Sequence, residues 1–342
     1  MRKMATIRKI DALRPIPGAD AIECAIVGGW TCVVKKGEYT AGDLAVYCEI
    51  DSFIPSTIAP FLTKPGHYAK TFEGVEGERL RTVKLRGQLS QGLLLPMSVL
   101  NVTTDGVTYE SLADEGCDVS ELLGITKYEA PIPAELAGEV KGMFPSMIPK
   151  TDQERVQNLS VELDQWRTEQ LTWEVTEKLD GSSMTVYVID GDVGVCSRNL
   201  DLKHNIDNSL WRAAYRHELP AKLANIGRNI AVQGELIGNG IQGNKYQMRD
   251  QDFYVYDIYN IDAGRYFTPA ERQAFVTEYK LNHCPVLDTV VLTHGVDMLL
   301  SLAEGKSVLN PKQEREGLVF KCNEKQVSFK AISNRFLLKG GE

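Results

Sequence analysis

The sequence has no Cys-x-x-Cys pair and no His-Glu-x-x-His motif, so zinc ribbons, dithiol redox centres and zincin-type metal sites are not predicted. Its seven cysteines and five histidines are scattered, and we interpret the cysteines as small, reduced core residues. No G-x-G-x-x-G or P-loop motif follows a strand, which argues against dinucleotide-binding and Walker-type domains. No apolar run is long enough to cross a bilayer, and residues 1–7 lack the core of a secretion signal. We therefore expect an intracellular, cytoplasmic protein with no membrane contact.

The composition is that of a globular protein with room for two or three domains. The chain has 342 residues, of which 43% are hydrophobic and 25% are charged. Its net charge of −8 disfavours a nonspecific nucleic-acid binder, but a global charge says little about a single groove. One locally basic stretch is either a solvated strand face or a set of phosphate contacts, for which the candidates are Arg79, Arg81, Lys84 and Arg86.

Three regions differ in pattern. Residues 1–130 carry short apolar runs between turn residues and predict a small β-barrel of the OB type, serving either nucleic-acid binding or scaffolding, with one helix over 111–123. Residues 131–150 contain four prolines and predict a linker or hinge. In residues 151–342 strands alternate with helices, the first of which is predicted over 151–170.

A lysine precedes an Asp-Gly turn between two strand-like runs, Leu171–Val175 and Met184–Ile189. An amine is a nucleophile only when it is deprotonated, and partial burial lowers the pKa of a lysine. Lys178 at the end of a strand is therefore a candidate covalent nucleophile, and the turn at Asp180 and Gly181 offers backbone N–H groups to phosphate. The alternative is an ordinary β-hairpin with an exposed lysine.

Four more segments carry residues suited to nucleotide chemistry. Arg198 is a planar donor for phosphate, and Glu235 is a carboxylate among apolar strand residues. Phe253–Ile258 alternates aromatic side chains that could stack on a purine. Glu316 begins an apolar strand that ends in Lys321, and Lys330 follows in the next strand. Taken singly, these residues are also explained by a turn, core aromatics and structural ion pairs.

Six segments follow one another along the chain: Glu-Lys-Leu-Asp-Gly-Ser-Ser, Ser-Arg-Asn, Gly-Glu-Leu-Ile-Gly, Phe-Tyr-Val-Tyr-Asp-Ile, Glu-Gly-Leu-Val-Phe-Lys and Ser-Phe-Lys. In this order they resemble the nucleotidyltransferase motifs of ATP-dependent RNA ligases. The resemblance covers 151–339 and is strongest to the branch that carries an OB module ahead of the catalytic domain. It implies an α+β fold in which 1–130 is the OB-like barrel and 151–342 is an adenylyltransferase domain of antiparallel sheets with flanking helices.

The resemblance also implies an activity and a set of roles. The enzyme would seal 3′-OH/5′-phosphate nicks in duplex RNA or an RNA/DNA hybrid, with ATP and Mg²⁺ (or Mn²⁺) as cofactors and AMP carried on Lys178. The catalytic residues would be Lys178, Asp180, Glu235, Glu316 and Lys330, and the metal ligands, partly through water, would be Asp180, Glu235 and Glu316. The cations at the phosphates would be Arg155, Arg198, Lys321 and Lys330, and the cations and the metal would lower the pKa of Lys178. The adenine contacts would be Glu177 and Phe253, with Tyr254 as the alternative stacking residue.

Two other classes of function stay open at this point. One is another covalent nucleotidyltransferase, either a DNA ligase or an mRNA-capping guanylyltransferase, which nucleotide and nick preference would separate. The other is a non-catalytic RNA-binding protein with a degenerate catalytic domain. The presence of Lys178, Asp180, Glu316 and Lys330 together favours an active enzyme.

Overall fold

Most strands pair in antiparallel sheets, and the chain divides into two units, residues 1–131 and 132–341. The computed structural model describes residues 3–101, 103–104, 107–108, 114–129 and 138–339. No helix among these residues is long and apolar enough to span a bilayer.

The first unit is built from short strands, as the sequence predicts. They are β1 Ala5–Lys9, β2 Ala12–Pro15, β3 Ile22–Val27, β4 Trp30–Lys35, β5 Leu44–Cys48, β6 Ser52–Pro55, β7 Lys70–Phe72, β8 Val75–Arg79, β9 Val83–Leu85, β10 Gln88–Ser90, β11 Leu93–Pro96, β12 Thr103–Thr104, β13 Val107–Thr108 and β14 Thr126–Lys127.

These strands form sheets in the orders β1-β5-β11, β2-β3-β4 and β14-β6-β8-β7, with two further hairpins, β9–β10 and β12–β13. The helix predicted over 111–123 is not found in its described part. Residues 114–123 form turns, with a bridge between Asp118 and Thr6 that ties the segment to β1, while 111–113 lie outside the described residues.

The second unit mixes strands and helices. Its strands are β15 Val140–Met143, β16 Glu154–Arg155, β17 Thr172–Lys178, β18 Ser182–Ile189, β19 Asp192–Cys196, β20 Leu200–Leu202, β21 Ile230–Ile237, β22 Asp252–Asn260, β23 Arg265–Tyr266, β24 Asn282–His283, β25 Val286–Val291, β26 Gly317–Cys322 and β27 Ser328–Ile332. Its helices are α1 Ser160–Thr168, α2 Ser209–Arg216, α3 Leu219–Ala224, α4 Pro269–Glu278, α5 Val296–Ala303 and α6 Asn334–Leu338.

Two sheets make up this unit. The larger has the order β15-β20-β19-β18-β21-β22-β23, with β24 also paired to β22, and the smaller has the order β16-β27-β26-β17-β25. Helices α2, α3 and α4 cover one face of the larger sheet, and α1 and α5 cover one face of the smaller sheet. The α+β fold class is therefore confirmed.

Strand alternation decides which side chains meet the helices. On β17, Trp173 and Val175 enter the apolar core, and on β21, Val232 and Leu236 do the same. Because successive side chains point to opposite faces of a strand, Lys178 and Glu235 lie on the faces that the helices leave uncovered.

Two predicted boundaries differ from the structure. The segment after residue 150 stays extended, pairs Glu154 and Arg155 in parallel with β27, and becomes helical only at Ser160. In this extended segment, the backbone N–H and C=O groups form hydrogen bonds with β27, so they are not available for the bonds of a helix starting at 151. Part of the predicted linker, Val140–Met143, pairs with β20 at the edge of the larger sheet, while 131–137 lie outside the described residues.

Candidate active site

The site is organised around Lys178, which ends β17 opposite Gly317 on β26. Glu316 immediately precedes Gly317, and its Oε1 lies 2.7 Å from the Lys178 Nζ. A Cβ at residue 317 would stand 2.2 Å from the Ala331 carbonyl oxygen, so β27 approaches this closely only because the residue is glycine. The Glu-Gly pair of the sequence motif thus places a carboxylate against the amine.

A second carboxylate comes from the larger sheet. Glu235 on β21 pairs with Ser183 on β18, and its Oε1 accepts a hydrogen bond of 3.1 Å from the Gly181 N–H. A Cβ at residue 181 would meet the Leu236 carbonyl oxygen at 2.4 Å, so the Asp-Gly turn permits this close approach. The Gly181 N–H, which the sequence predicts for phosphate, is therefore bonded to a carboxylate.

Asp180 supplies the third carboxylate, and the loop between β21 and β22 holds it. Its backbone N–H donates to the Tyr246 hydroxyl at 2.7 Å, and its Oδ2 contacts the Lys245 Nζ. The sequence gives no reason to select Lys245 or Tyr246, because they lie more than 60 residues from Asp180 in a loop without a motif. We call Asp180, Glu235 and Glu316 the carboxylate cluster.

The pKa values reflect this crowding of negative charge. Burial, and then the neighbouring Glu316 and Asp180, raise the pKa of Glu235 to about 8, even though Lys178 opposes the shift. Burial likewise raises the pKa of Glu316. For Lys178, burial favours the neutral amine, but the carboxylate cluster outweighs it and the pKa is raised. Without a metal ion, the carboxylates thus favour the charged amine, and the lowering that the sequence predicts from the metal and the cations together stays a prediction.

One predicted cation lies near the cluster, and a second is on the strand next to it. Lys330 is opposite Val319 on β26, and its charge lowers the pKa of Glu316 against the effect of burial. Arg155, which is 4% exposed, is paired in register with Lys330 on the neighbouring strand. The structure thus brings Lys178, Glu316, Lys330 and Arg155 onto one sheet.

Two other predicted phosphate ligands have carboxylate partners. Arg198 Nη2 lies 2.9 and 3.1 Å from the two carboxylate oxygens of Asp152, and half of each side chain is exposed. Lys321 is buried, with its Nζ 2.6 Å from Asp257 Oδ1 and in contact with the Tyr256 carbonyl oxygen. The structure does not bring either residue into the carboxylate cluster.

The structure contradicts the side-chain roles predicted at the adenine. Glu177 points to the far face of β17, where its carboxylate accepts the Val308 N–H at 2.7 Å, so only its backbone remains a candidate. Phe253 is 1% exposed and packs against Gly234, on the opposite face of the larger sheet from Glu235. The stacking on the base that the resemblance implies for Phe253 is therefore wrong, because its ring is part of the apolar core.

The aromatic residues on the correct side of β22 are Tyr254 and Tyr256. The Tyr256 hydroxyl lies 2.9 Å from Thr151 Oγ1 and 3.3 Å from Ser183 Oγ. Burial, and then the Glu235 carboxylate, raise the pKa of Tyr256, which locates this ring beside the cluster. The strand partner of Glu235 is Tyr254, so Tyr254 and Tyr256 both alternate onto the side of Glu235, and only the structure shows this pairing.

A cavity of about 420 Å³ lies beside the cluster rather than around Lys178. It is bordered by Thr151, Asp257, Arg272, Lys321 and Ser328, and none of the carboxylate cluster lines it. Chemistry requires the nucleophile and its charged neighbours, so the convergence of charges, not the volume, identifies the site.

Of the four residues predicted to contact nucleic acid in the first unit, Arg79 already forms an ion pair within the protein. The Arg79 guanidinium lies 2.5 Å from Asp51 Oδ1 and 5.0 Å from the centre of the Tyr128 ring. Arg81, Lys84 and Arg86 are exposed on and next to the β9–β10 hairpin, whose turn is at Arg86 and Gly87.

Comparison with known proteins identifies the family. The RNA ligase family model matches residues 171–336, and an OB-fold domain model matches residues 4–97. A Naegleria gruberi RNA ligase variant with AMP and Mn is 48% identical, with 98% of each chain covered and a TM-score of 0.89. The Naegleria gruberi RNA ligase with PPi is 47% identical over 98% of each chain (TM-score 0.88), and a variant with ATP and Mn is 48% identical with the same coverage and score. A comparison with curated proteins found no match.

The chain belongs to the RNA ligase family. The predicted family, the predicted RNA ligase activity and the predicted N-terminal OB module are thereby confirmed. Among the described residues of this RNA ligase, no three His, Cys, Asp or Glu side chains are grouped closely enough to ligate one metal ion directly.

Proposed function

We propose that this RNA ligase seals 3′-OH/5′-phosphate nicks through an AMP adduct on Lys178, using ATP and Mg²⁺ or Mn²⁺. The observation that carries the proposal is the contact of 2.7 Å between the Lys178 amine and Glu316 at the centre of three carboxylates. An isolated structural lysine needs one counter-ion, whereas three carboxylates lie around this amine.

The carboxylate cluster fits a divalent metal ion. Oxygen ligands suit Mg²⁺ and Mn²⁺, and the raised pKa values of Glu235 and Glu316 indicate charge that a cation would compensate. The related Naegleria gruberi structures contain Mn together with ATP or AMP. When bound, the ion would offset the field of the carboxylates and so favour the neutral form of Lys178.

The amine then does the covalent chemistry. Lys178 Nζ, after losing its proton, attacks the α-phosphorus of ATP, so that an N–P bond forms and the P–O bond to pyrophosphate breaks. AMP passes from the lysine to the RNA 5′-phosphate, and a 3′-hydroxyl attacks that activated phosphate and releases AMP. Lys330 on β27 and Arg155 on β16 lie in the same sheet as Lys178 and neutralise phosphate charge, with Arg198 and Lys321, which have carboxylate partners, as further candidates.

The residues that we assign to the adenine of ATP are those whose side chains or backbone lie on the same side of the strands as the carboxylate cluster. We assign stacking to Tyr256 in place of Phe253, because Tyr256 lies beside Glu235 on the uncovered face. The Glu177 backbone contacts the adenine edge, since its carboxylate is used elsewhere. In the first unit, Arg81, Lys84 and Arg86 contact the phosphates of the nicked duplex RNA or RNA/DNA hybrid.

Incubation with α-labelled ATP and Mg²⁺ tests the covalent step. We expect label that stays on the protein through denaturation and is absent in Lys178→Ala. Lys203→Ala, which removes an exposed lysine of the same unit, should label normally. Folded wild-type protein that never retains label would reject the proposal, and GTP labelling in place of ATP would favour a guanylyltransferase.

The substrate is tested with nicked duplexes in which each strand is RNA or DNA. Sealing is expected when the 3′-OH strand is RNA. Equal sealing of all-DNA nicks would contradict an RNA-specific reaction and favour DNA ligase activity.

A further inference from the structure

One cation touches the carboxylate cluster without belonging to any nucleotide motif of the sequence. Lys245 follows a short 3-10 turn, Gln242–Asn244, in the loop between β21 and β22, and its Nζ contacts Asp180 Oδ2. One third of the Lys245 side chain is exposed, whereas that of Asp180 is 13% exposed. The ion pair is thus partly shielded from water, where a charge contact is stronger than at the surface.

The position of Lys245 is fixed by contacts on several sides. Its Nζ lies 4.3 Å from the centre of the Phe336 ring, a cation–π distance, and its carbonyl oxygen accepts the Asn310 Nδ2 at 2.7 Å. The hydroxyl of the next residue, Tyr246, accepts a hydrogen bond from the Asp180 backbone N–H. Two consecutive residues of one loop therefore hold both the backbone and the carboxylate of Asp180.

This arrangement places Lys245 where a metal ion would compete with it. The cluster presents three carboxylates, of which Glu316 is contacted by Lys178 and Asp180 by Lys245. Lys178 is the nucleophile, so its charge is lost during the reaction. A divalent cation that binds the Asp180 carboxylate, directly or through a water molecule, must share this carboxylate with Lys245 or displace the lysine.

We propose that Lys245 is a positioning residue that occupies the Asp180 carboxylate until a divalent cation takes it, and so sets the metal affinity of the site. This inference rests on the proposed metal-dependent adenylylation of Lys178. Lysine suits the role because its ammonium is a point charge on a flexible stem, and the Phe336 ring offers a second contact on displacement.

Removing a positive charge that contacts a metal-holding carboxylate makes the site more attractive to a divalent cation. Lys245→Met should therefore bind Mn²⁺ more tightly in the absence of ATP, by on the order of tenfold. Lys245→Arg keeps the charge and should restore nearly wild-type affinity.

The experiment measures free Mn²⁺ by electron paramagnetic resonance during titration of the full chain without nucleotide. Lys222→Met is the matched control, since it removes a lysine paired with Glu218 and so makes the same change in net charge. A double-mutant cycle with Asp180→Asn isolates the pair: in that background Lys245→Met should change Mn²⁺ affinity little. If Lys245→Met does not fold, the same comparison is made with Lys245→Gln.

Mn²⁺ affinity that is unchanged or weaker in Lys245→Met, or shifted equally in Lys222→Met, would overturn the inference. Labelling of the wild-type protein with α-labelled ATP is run in parallel. Wild-type protein without label would reject the proposed function, whatever the Mn²⁺ data show. A labelled wild type with unchanged Mn²⁺ affinity in Lys245→Met would reject the role of Lys245 alone.

Discussion

At the scale of single residues, the site depends on which face of a strand a side chain occupies. Lys178 and Glu177 are neighbours in sequence, yet one meets the carboxylate cluster and the other is bonded to Val308 on the far side of the sheet. Phe253 and Tyr254 are separated in the same way on β22. A motif therefore identifies a strand reliably, but the alternation of side chains along that strand determines which of its residues reach the site.

Glu316→Ala removes the carboxylate that touches the nucleophile and should reduce both lysine adenylylation and sealing. We expect a loss of at least about a hundredfold, on the order of 3 kcal/mol of transition-state stabilisation. Single-turnover labelling with α-labelled ATP measures it. Glu314→Ala is the control, because Glu314 is two residues away and pairs with Lys306 at the surface. A wild-type rate in Glu316→Ala would remove this residue from the site.

Tyr256→Ala should raise the KM for ATP by on the order of tenfold, because a ring stacked on a base contributes roughly 1–2 kcal/mol. Tyr256→Phe keeps the ring and should stay close to the wild type. Phe253→Leu should lower thermal stability through a core defect and leave the KM unchanged. The reverse pattern, with KM sensitive to Phe253 and not to Tyr256, would restore the assignment made from the sequence.

At the scale of elements, helix α4 joins the two sheets of the second unit through buried charges. Thr268 and Glu271 form a capping box that starts the helix at Pro269, and the first turn projects Arg272 inward. Arg272 is 1% exposed, contacts Glu174 on β17 and lies 3.6 Å from Asp257 on β22. With Lys321, these residues form a neutral cluster of two cations and two carboxylates.

His283 on β24 completes this cluster as a neutral acceptor. The Arg272 Nε donates to its Nε2 at 2.9 Å, and its Nδ1 donates to the Cys284 carbonyl oxygen. Burial, and then the charge of Arg272, lower the pKa of His283 to about 3. Protonation would break the bond from Arg272 and add a third positive charge to the cluster.

The unfolding free energy should therefore fall with acid because of His283. Its pKa is lower in the folded than in the unfolded protein, so its contribution is present above about pH 6.5 and is lost progressively toward pH 3. Urea denaturation between pH 8 and pH 4 should show a smaller loss of stability in His283→Asn than in the wild type. His67→Asn, an exposed histidine of the first unit, is the control. Parallel curves for wild type and His283→Asn would contradict the argument.

The elements also show what the sequence could and could not predict. The strand-like runs Leu171–Val175 and Met184–Ile189 overlap β17 and β18, because continuous apolar residues indicate a buried strand locally. The helix predicted at 151 failed because edge pairing with β27 is a long-range contact that local propensity does not contain. Lys245 and Arg272 act on partners 65 and 98 residues away, and no spacing rule connects such pairs.

At the scale of the whole molecule, charge is distributed unevenly. The chain carries −8 overall, yet Arg81, Lys84 and Arg86 are exposed around one hairpin of the OB unit, and the nucleophile belongs to the other unit. Repulsion between an acidic protein and RNA weakens with salt, whereas phosphate contacts by basic residues become weaker as salt rises. The salt dependence of RNA binding therefore distinguishes a local basic surface from the net charge.

Changing Arg81, Lys84 and Arg86 together to Gln should weaken binding of nicked duplex RNA and reduce the slope of log K against log salt by up to about 2–3, because each phosphate contact contributes nearly one unit. Lysine adenylylation should be unchanged, since the nucleophile lies in the second unit. Fluorescence anisotropy without ATP measures the slope. The matched control changes Arg14, Lys35 and Lys36, also exposed in the first unit, to Gln. Equal slopes for the two triple variants would show that net charge, and not the hairpin, governs RNA binding.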